Sequence, residues 1–461
     1  MRTSNLHASS FRDPSGTVFL DNGIVKRLIN PIYFKQYQAL KESGFFNKLF
    51  NNNLLIKHEE VSSSDDKIVI EPEQIPFISY PYEWSFNQYK AAALLTLKIQ
   101  KYCLNHGFSL KDASAYNVTF HKGRAIFIDT LSFDFYKENT PWRAYKQFIS
   151  HFLGPLVLAR YHGAAQLQLI MNYSDGIPTK TISSLLPKTT KLNPFLYSNI
   201  HLLAKFESKH NEDESGKIKE TSLSKNGQIK MIDALYDYIK NLKLKETTEW
   251  EDYYSNTNYS NDSFKKKSEI INSWVEVVKP KTLIDIGGND GTFVRSISKD
   301  LNLALVTDID NNAVDHNYKM AKENDEHHIL PLIFDVLNPS PAIGFNNKER
   351  ASFIQRIKVW NPDITMALAV IHHITLTGNV PFAMSAEFFA TFSKQLIIEF
   401  PKQTDSKVER LLNTKGEFKE HFNFYNQDNF ETAYLNFFNL IEKKQIEDAE
   451  RTMYFLKIKN A

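Results

Sequence analysis

Beyond residue 281 the chain alternates short apolar runs with stretches of helical spacing or loop: TLIDI at 282–286, LALVT at 303–307, HHILPLIF at 327–334, ITMALAV at 364–370 and QLIIEF at 395–400. Apolar runs of this length suit strands buried on both faces, and their alternation with helices predicts a doubly wound parallel sheet, an α/β fold. Two last runs, NFFNLIEKKQ and RTMYFLKIK, flank the polar segment IEDAE and predict a terminal antiparallel strand pair.

The first half has a different rhythm and predicts an α+β unit. Residues 11–29 suggest a β-hairpin around Asn22-Gly23, and 88–107 has the apolar spacing of a long helix stopped at Gly107. Two short β-like segments, 116–120 and 125–129, follow and are joined by HKGR. Residues 205–228 are charged and poor in large apolar side chains, as in an exposed connector. Residues 229–244 return to helical spacing, and an aromatic, polar stretch leads to a second helix near 265–278. The division expected is an α+β domain at 1–204, a charged linker at 205–228, and an α/β domain with a helical lead-in at 229–461.

Composition narrows the function. Lys plus Arg is 55 against 53 Asp plus Glu, a net +2, so there is no polyelectrolyte attraction for a phosphate backbone and bulk nucleic acid is not the expected partner. One cysteine, Cys103, supports neither an intrachain disulfide nor a Cys-based metal cluster, which fits a cytoplasmic protein. No apolar run reaches the roughly 18 residues of a membrane span, and the first residues lack the apolar stretch of a signal peptide. Glycine is scarce, 16 in 461 residues, so its clustering between 287 and 291 marks a geometric demand.

There, Asp285-Ile-Gly287-Gly288-Asn289-Asp290-Gly291 ends the first predicted strand and runs into a helix. Glycines let the backbone approach a ligand, and a following helix offers N–H donors, which together describe a nucleotide-type site. Counting from Gly287 puts Asn289 and Thr292 where a dinucleotide fingerprint needs its second and third glycines, so the dehydrogenase reading fails. Asn289 tolerates positive φ, so a tight turn survives there. Asp308 ends the second strand, with Asp310 close by; Asp335 ends the third. His372 and His373 follow the fourth strand and Glu399 ends the fifth.

The turn and the strand-end residues, in this order, resemble class I S-adenosylmethionine-dependent methyltransferases, and the stretch from 248 to 412 is similar to a bacterial nodulation and host-specificity group. The resemblance covers about 246–461. It implies S-adenosyl-L-methionine as cofactor, held by Asp285, Gly287, Gly288, Asn289, Gly291, Asp308 and Asp335, the last at the adenine amino group. It also implies an aromatic cover from Trp250, Tyr254 and Tyr259. The segment after the fourth strand is where this family places acceptors, making His372 and His373 the candidate bases, needed only if the acceptor must lose a proton. The expected acceptor is a small molecule or glycan, methylated on oxygen or nitrogen; its identity, the acceptor atom and the oligomeric state stay open. No metal-ligand spacing such as H-E-x-x-H is present, so no metal is expected. A basic patch, Lys265-Lys266-Lys267, offers a contact for one phosphate-bearing substrate.

A second constellation lies in the first half. Asp112, Asn117 five residues on, and Asp129 resemble the catalytic loop and metal-binding aspartate of protein-kinase-like phosphotransferases, with Lys26 or Lys57 as phosphate lysine. The match departs from that pattern: no His stands two residues before Asp112, no G-x-G-x-x-G loop is present, and Asp129 occurs as Ile-Asp-Thr. Three readings follow: a methyltransferase whose first domain positions the acceptor, a bifunctional enzyme with a phosphotransferase-like domain, or a cofactor-binding scaffold without turnover.

Overall fold

The computed structural model describes residues 6–210, 222–244, 261–297, 300–446 and 449–459. Trp250, Tyr254 and Tyr259 lie outside the described residues, as does 211–221 of the charged connector. The chain forms two compact units: Met1–Lys245 with Ala342–Ala351, and Glu246–Pro341 with Ser352–Ala461.

In the first unit, β1 (Gly16–Asp21) and β2 (Ile24–Ile29) pair as the predicted hairpin. Its turn residues Asn22 and Gly23 have φ of 52° and 83°, the primed geometry that matches strand twist. With β3 (His58–Ser64) and β4 (Lys67–Pro72) they form a four-stranded antiparallel sheet, order β1-β2-β4-β3. The long helix Phe86–Asn105 starts on a capping box, Ser85 with Gln88, and stops before Gly107 at φ 82°. After it come β5 (Phe108–Leu110), the β6 (Val118–His121) and β7 (Arg124–Phe127) hairpin, and β8 (Phe133–Phe135), which returns to pair with β5.

Helix Lys225–Asn241, read from sequence as a lead-in to the second domain, belongs to the first unit. It buries Ile232, Leu235 and Ile239 and is tied to Phe86–Asn105 by Lys101–Asp233 at 2.6 Å. Apolar periodicity says that a face must be buried, not against which partner. The decapeptide 342–351 also folds with the first unit. Glu349, 3% exposed, takes both arms of the Arg12 guanidinium at 2.9 and 3.0 Å, and Arg350 lies 4.6 Å over the Tyr116 ring.

The second unit is a seven-stranded sheet of β9 (Thr282–Ile286), β10 (Leu303–Asp308), β11 (Ile329–Ile333), β12 (Ile364–Ala367), β13 (Gln395–Pro401), β14 (Phe438–Gln445) and β15 (Arg451–Ile458). The order is β11-β10-β9-β12-β13-β15-β14. The five predicted strands are parallel, and β15 runs antiparallel to both β13 and β14, so the predicted terminal pair closes the sheet. The order reverses between β9 and β12. Chain leaving those two strands diverges to opposite faces and opens a crevice at their carboxyl ends, the place where open α/β sheets take ligands. Helix Asn261–Val278 covers one face, with Trp274 stacked on Phe455 of β15 at 5.6 Å.

Candidate functional site

β9 delivers Asp285, 1% exposed, to the crevice. The chain then turns through Gly287 (φ 72°), Asn289 (φ 49°) and Gly291 (φ 77°). A Cβ on Gly287 would stand 2.4 Å from Val370 Cγ2, and one on Gly288 2.7 Å from Asp285 Oδ2, so side chains are excluded where the backbone passes closest. The turn is pinned to β10: Gly288 N–H donates to Thr307 O at 2.9 Å and Asn289 N–H to Asp308 Oδ2 at 3.0 Å. Asp290 accepts the N–H of Thr292, the first residue of the following helix, at 3.0 Å, so one of the donors expected at that helix end is engaged by the chain itself.

Asp308 accepts a second backbone N–H, from Asp310 at 2.9 Å. Burial raises its pKa while these two N–H bonds pull it back. Asp310, the neighbouring candidate, instead caps helix Asn311–Glu323 through Asn312 N. Asp335, half-buried, accepts Leu337 N–H at 2.8 Å, and Phe334 N–H donates to Asp308 O, setting the ends of β10 and β11 side by side. Beside these carboxylates the apolar side chains of Ile309 and Leu337 stand exposed, an open apolar margin unlike the strands they follow.

Asp285 is the polar centre of the turn. Its Oδ1 is buried without a hydrogen-bond partner. Burial pushes this carboxyl up to about 8, with Lys267 pulling it down and Asp308 and Asp290 pushing it further up. A buried acceptor left unpaired costs about 1–3 kcal/mol, so an orphan at a crevice marks a position made for a donor from outside.

After β12 the chain passes through Ala369 at φ 53°, a left-handed conformation that alanine rarely holds, before reaching the two histidines. His372 is 1% exposed and neither ring nitrogen has a partner. Burial first, then His373 and Arg451, holds it well below the usual imidazole range, so it is neutral at pH 7. The His373 ring packs 4.2 Å from it and is itself exposed.

Under them lies a network of charges that sequence reasoning missed. Glu399, wholly buried, accepts from Lys267 Nζ at 2.7 Å and from Arg451 Nη1 at 3.3 Å; Arg451 Nε reaches Asp405 Oδ2 at 2.8 Å. Lys267 is therefore no part of a surface basic patch. It is 1% exposed, with its ammonium 4.4 Å over the Phe293 ring. Lys407, half-buried on helix Ser406–Asn413, completes the group.

The first-unit constellation is assembled, but closed on itself. Asp129 is paired with Arg27 of β2 and bonded by Ser132 Oγ. Asn117 Nδ2 donates to Ser132 Oγ at 3.2 Å. Asp112 accepts Ser114 N–H at 2.9 Å and is bonded by the Asn117 and Gln147 side chains. Lys26, one of the two lysines expected to meet phosphate, pairs instead with Asp21 and Glu71, and its neighbour Arg27 pairs with Asp129. Among the described residues no group of three or more His, Cys, Asp or Glu is arranged to hold a metal ion, and no helix is long and apolar enough to cross a membrane.

No protein-family profile matches the chain. It is 30% identical over 460 residues to nodulation protein NoeA of Rhizobium meliloti (strain 1021), covering 97% of this chain and 95% of that one. Among solved structures it is similar to the N-methyltransferase NodS from Bradyrhizobium japonicum WM9, at 11% identity, 43% of this chain, 98% of that chain and a TM-score of 0.32. It is likewise similar to magnesium protoporphyrin IX methyltransferase from Synechocystis PCC 6803, at 12% identity, 46% and 93% coverage and a TM-score of 0.32. With near-complete coverage by the NoeA relative, and the second unit's seven strands in the order above, the chain belongs to the NoeA family and its second unit has the class I methyltransferase fold.

Proposed function

We propose that this protein is an S-adenosyl-L-methionine-dependent methyltransferase of the cytoplasm, acting on oxygen or nitrogen of a small-molecule or glycan acceptor. The observation that carries the reading is the orphaned Asp285 Oδ1 beside a turn whose glycines exclude side chains. The residues fit the cofactor's parts. Asp285 would take its ammonium, Asp308 its ribose hydroxyls, and Asp335, with the exposed Ile309 and Leu337, its adenine. Bound S-adenosylmethionine supplies a sulfonium methyl for in-line displacement.

The remaining chemistry belongs to the chain. The crevice excludes water and aligns the acceptor, which supplies much of the acceleration in a displacement of this kind. His372, neutral and desolvated, has two unpartnered ring nitrogens, and the one that bears no proton can take one from an acceptor hydroxyl or amine. Glu399 then offsets the imidazolium charge. Calorimetry with S-adenosylmethionine tests the cofactor assignment. Binding that Asp285→Ala and Asp308→Ala each weaken by about 1–3 kcal/mol is expected; no binding, or binding indifferent to both, refutes it. Methyl-labelled cofactor incubated with cell extract, followed by mass spectrometry, identifies the acceptor, and label on protein alone would overturn the small-molecule reading.

For the first unit we favour a kinase-like fold without phosphoryl transfer. The sheet, the long helix, the loop with Asp112 and Asn117, the β6–β7 hairpin and Asp129 follow in the order that the resemblance implies, while Arg27 holds the carboxylate a metal would need.

A further inference from the structure

The charges around His372 do not balance. Glu399 and Asp405 are the two carboxylates of the cluster, and Lys267 and Arg451 engage them: Lys267 and Arg451 share Glu399, and Arg451 also holds Asp405. A third cation, Lys407, stands half-buried beside Arg451 and His373 with no ion pair among the described residues. Its backbone is fixed, because Asp405 Oδ1 accepts Lys407 N–H at 3.0 Å. Helix Ser406–Asn413 packs on the turn His373–Thr377, bringing Lys407 to the exposed His373 ring and the buried, unpartnered His372. Burial and Arg451 lower the Lys407 pKa, while Asp405 and Glu399 partly offset them from a distance.

We propose that the methyl acceptor carries an oxyanion, a carboxylate or a sulfate or phosphate ester, held between Lys407 and His373. This rests on the methyltransferase reading. The charged group serves as the handle, and the atom methylated is a neighbour placed toward His372. Glu399, buried, and Asp405, half-buried, keep Lys267 and Arg451 engaged, so Lys407 is the cation left for substrate.

The test uses the full-length protein saturated with S-adenosylhomocysteine and titrated with sodium sulfate and, separately, sodium acetate, with ionic strength held constant by chloride. Sulfate represents the tetrahedral esters and acetate the carboxylates. Saturable stabilisation by one or both is expected, with the dissociation constant raised about tenfold or more in Lys407→Met and largely restored in Lys407→Arg. Lys394→Met, just before the amino end of β13 and paired with Asp363, should leave it unchanged. Stabilisation that is non-saturating, or equal in Lys407→Met, would be general salting and overturns the proposal, as does no response to either anion while S-adenosylhomocysteine binds. Failure of S-adenosylhomocysteine itself to bind removes the methyltransferase reading and the proposal with it, an outcome told apart by that ligand's own thermal shift.

Discussion

The turn at 285–291 and the loop at 112–129 look alike as sequence, each a strand end with carboxylates, an asparagine and a short turn, yet they differ in what their polar atoms touch. In the second unit Asp285 Oδ1 and both nitrogens of His372 are buried and unpaired. In the first unit Asp112, Asn117 and Asp129 are paired with one another's partners, and Arg27 neutralises the most acidic position. Unpaired buried groups cost stability that only a ligand returns; satisfied ones stabilise the fold and ask for nothing. The contrast separates the proposed cofactor site from a network that has become part of the core.

The largest effect should come from the charges beneath the first of these. Glu399→Gln leaves Lys267 and Arg451, both almost fully buried, without their shared carboxylate, and breaking a buried pair of this kind costs about 3–5 kcal/mol. Denaturant unfolding is expected to show a midpoint lowered accordingly. A loss below about 1 kcal/mol would mean that water reaches these cations and that the crevice is wetter than its burial indicates.

Asp285 should behave in the opposite sense. Its pKa lies near 8 when folded against about 4 unfolded, so the folded state holds a proton that the unfolded state has lost. By linkage this group's contribution is fully present below about pH 4, declines as pH rises through 8, and is constant above. Asp285→Asn, which cannot ionise, should therefore gain on the native protein across that window, by on the order of 4 kcal/mol at pH 7, while losing affinity for S-adenosylhomocysteine. Native protein should also release up to about one proton on binding that ligand at pH 7, read as an enthalpy that depends on the buffer's ionisation heat. A stability difference flat from pH 4 to 8 would rule out a perturbed Asp285.

The first unit sharpens the contrast from the other side. Because Arg27 already neutralises Asp129, ATP with magnesium should leave the melting temperature unchanged, where true binding at a hundredfold excess over Kd would add about 2.7 kcal/mol. Arg27→Met should cost about 1–3 kcal/mol by stranding a mostly buried carboxylate. An ATP shift that Asp129→Asn removes, or phosphate release that Asp112→Asn abolishes, would make the first unit a phosphotransferase and erase the difference between the two loops.

How much of this was legible in the sequence follows from distance along the chain. The Asp285–Gly291 turn demands glycine and asparagine at fixed local positions, and the strands carry their burial in their composition, so both are visible from residue order alone. The Glu399 centre joins residues 132 and 52 positions apart, and Arg27 meets Asp129 across 102, and no local pattern records such meetings. Lys267 illustrates the hazard: within a lysine triplet it looks like surface charge, yet helical geometry turns it inward. The segment 342–351 sits between two strand-forming regions of one unit and folds with the other, which sequence order alone does not reveal.

Ala369 left no sequence signal either, and it provides the finest test of the contrast. Its φ of 53° costs an L-residue about 1–2 kcal/mol, and it stands three residues before His372, where the chain must leave β12 sharply. If that strain is tolerated to aim His372, Ala369→Gly relieves it, although glycine also enlarges the freedom of the unfolded chain by roughly 0.5–1 kcal/mol. The net expectation is a gain of at most about 1 kcal/mol, a rise of about 2–4 °C for a unit of this size. The freed turn should hold His372 less firmly, so its imidazole resonances should broaden or divide in the variant while the first unit's His151, packed against Tyr116, keeps its signal. A lowered melting temperature would show that the turn is relaxed as alanine. A raised one with unchanged His372 resonances would detach the strain from the site.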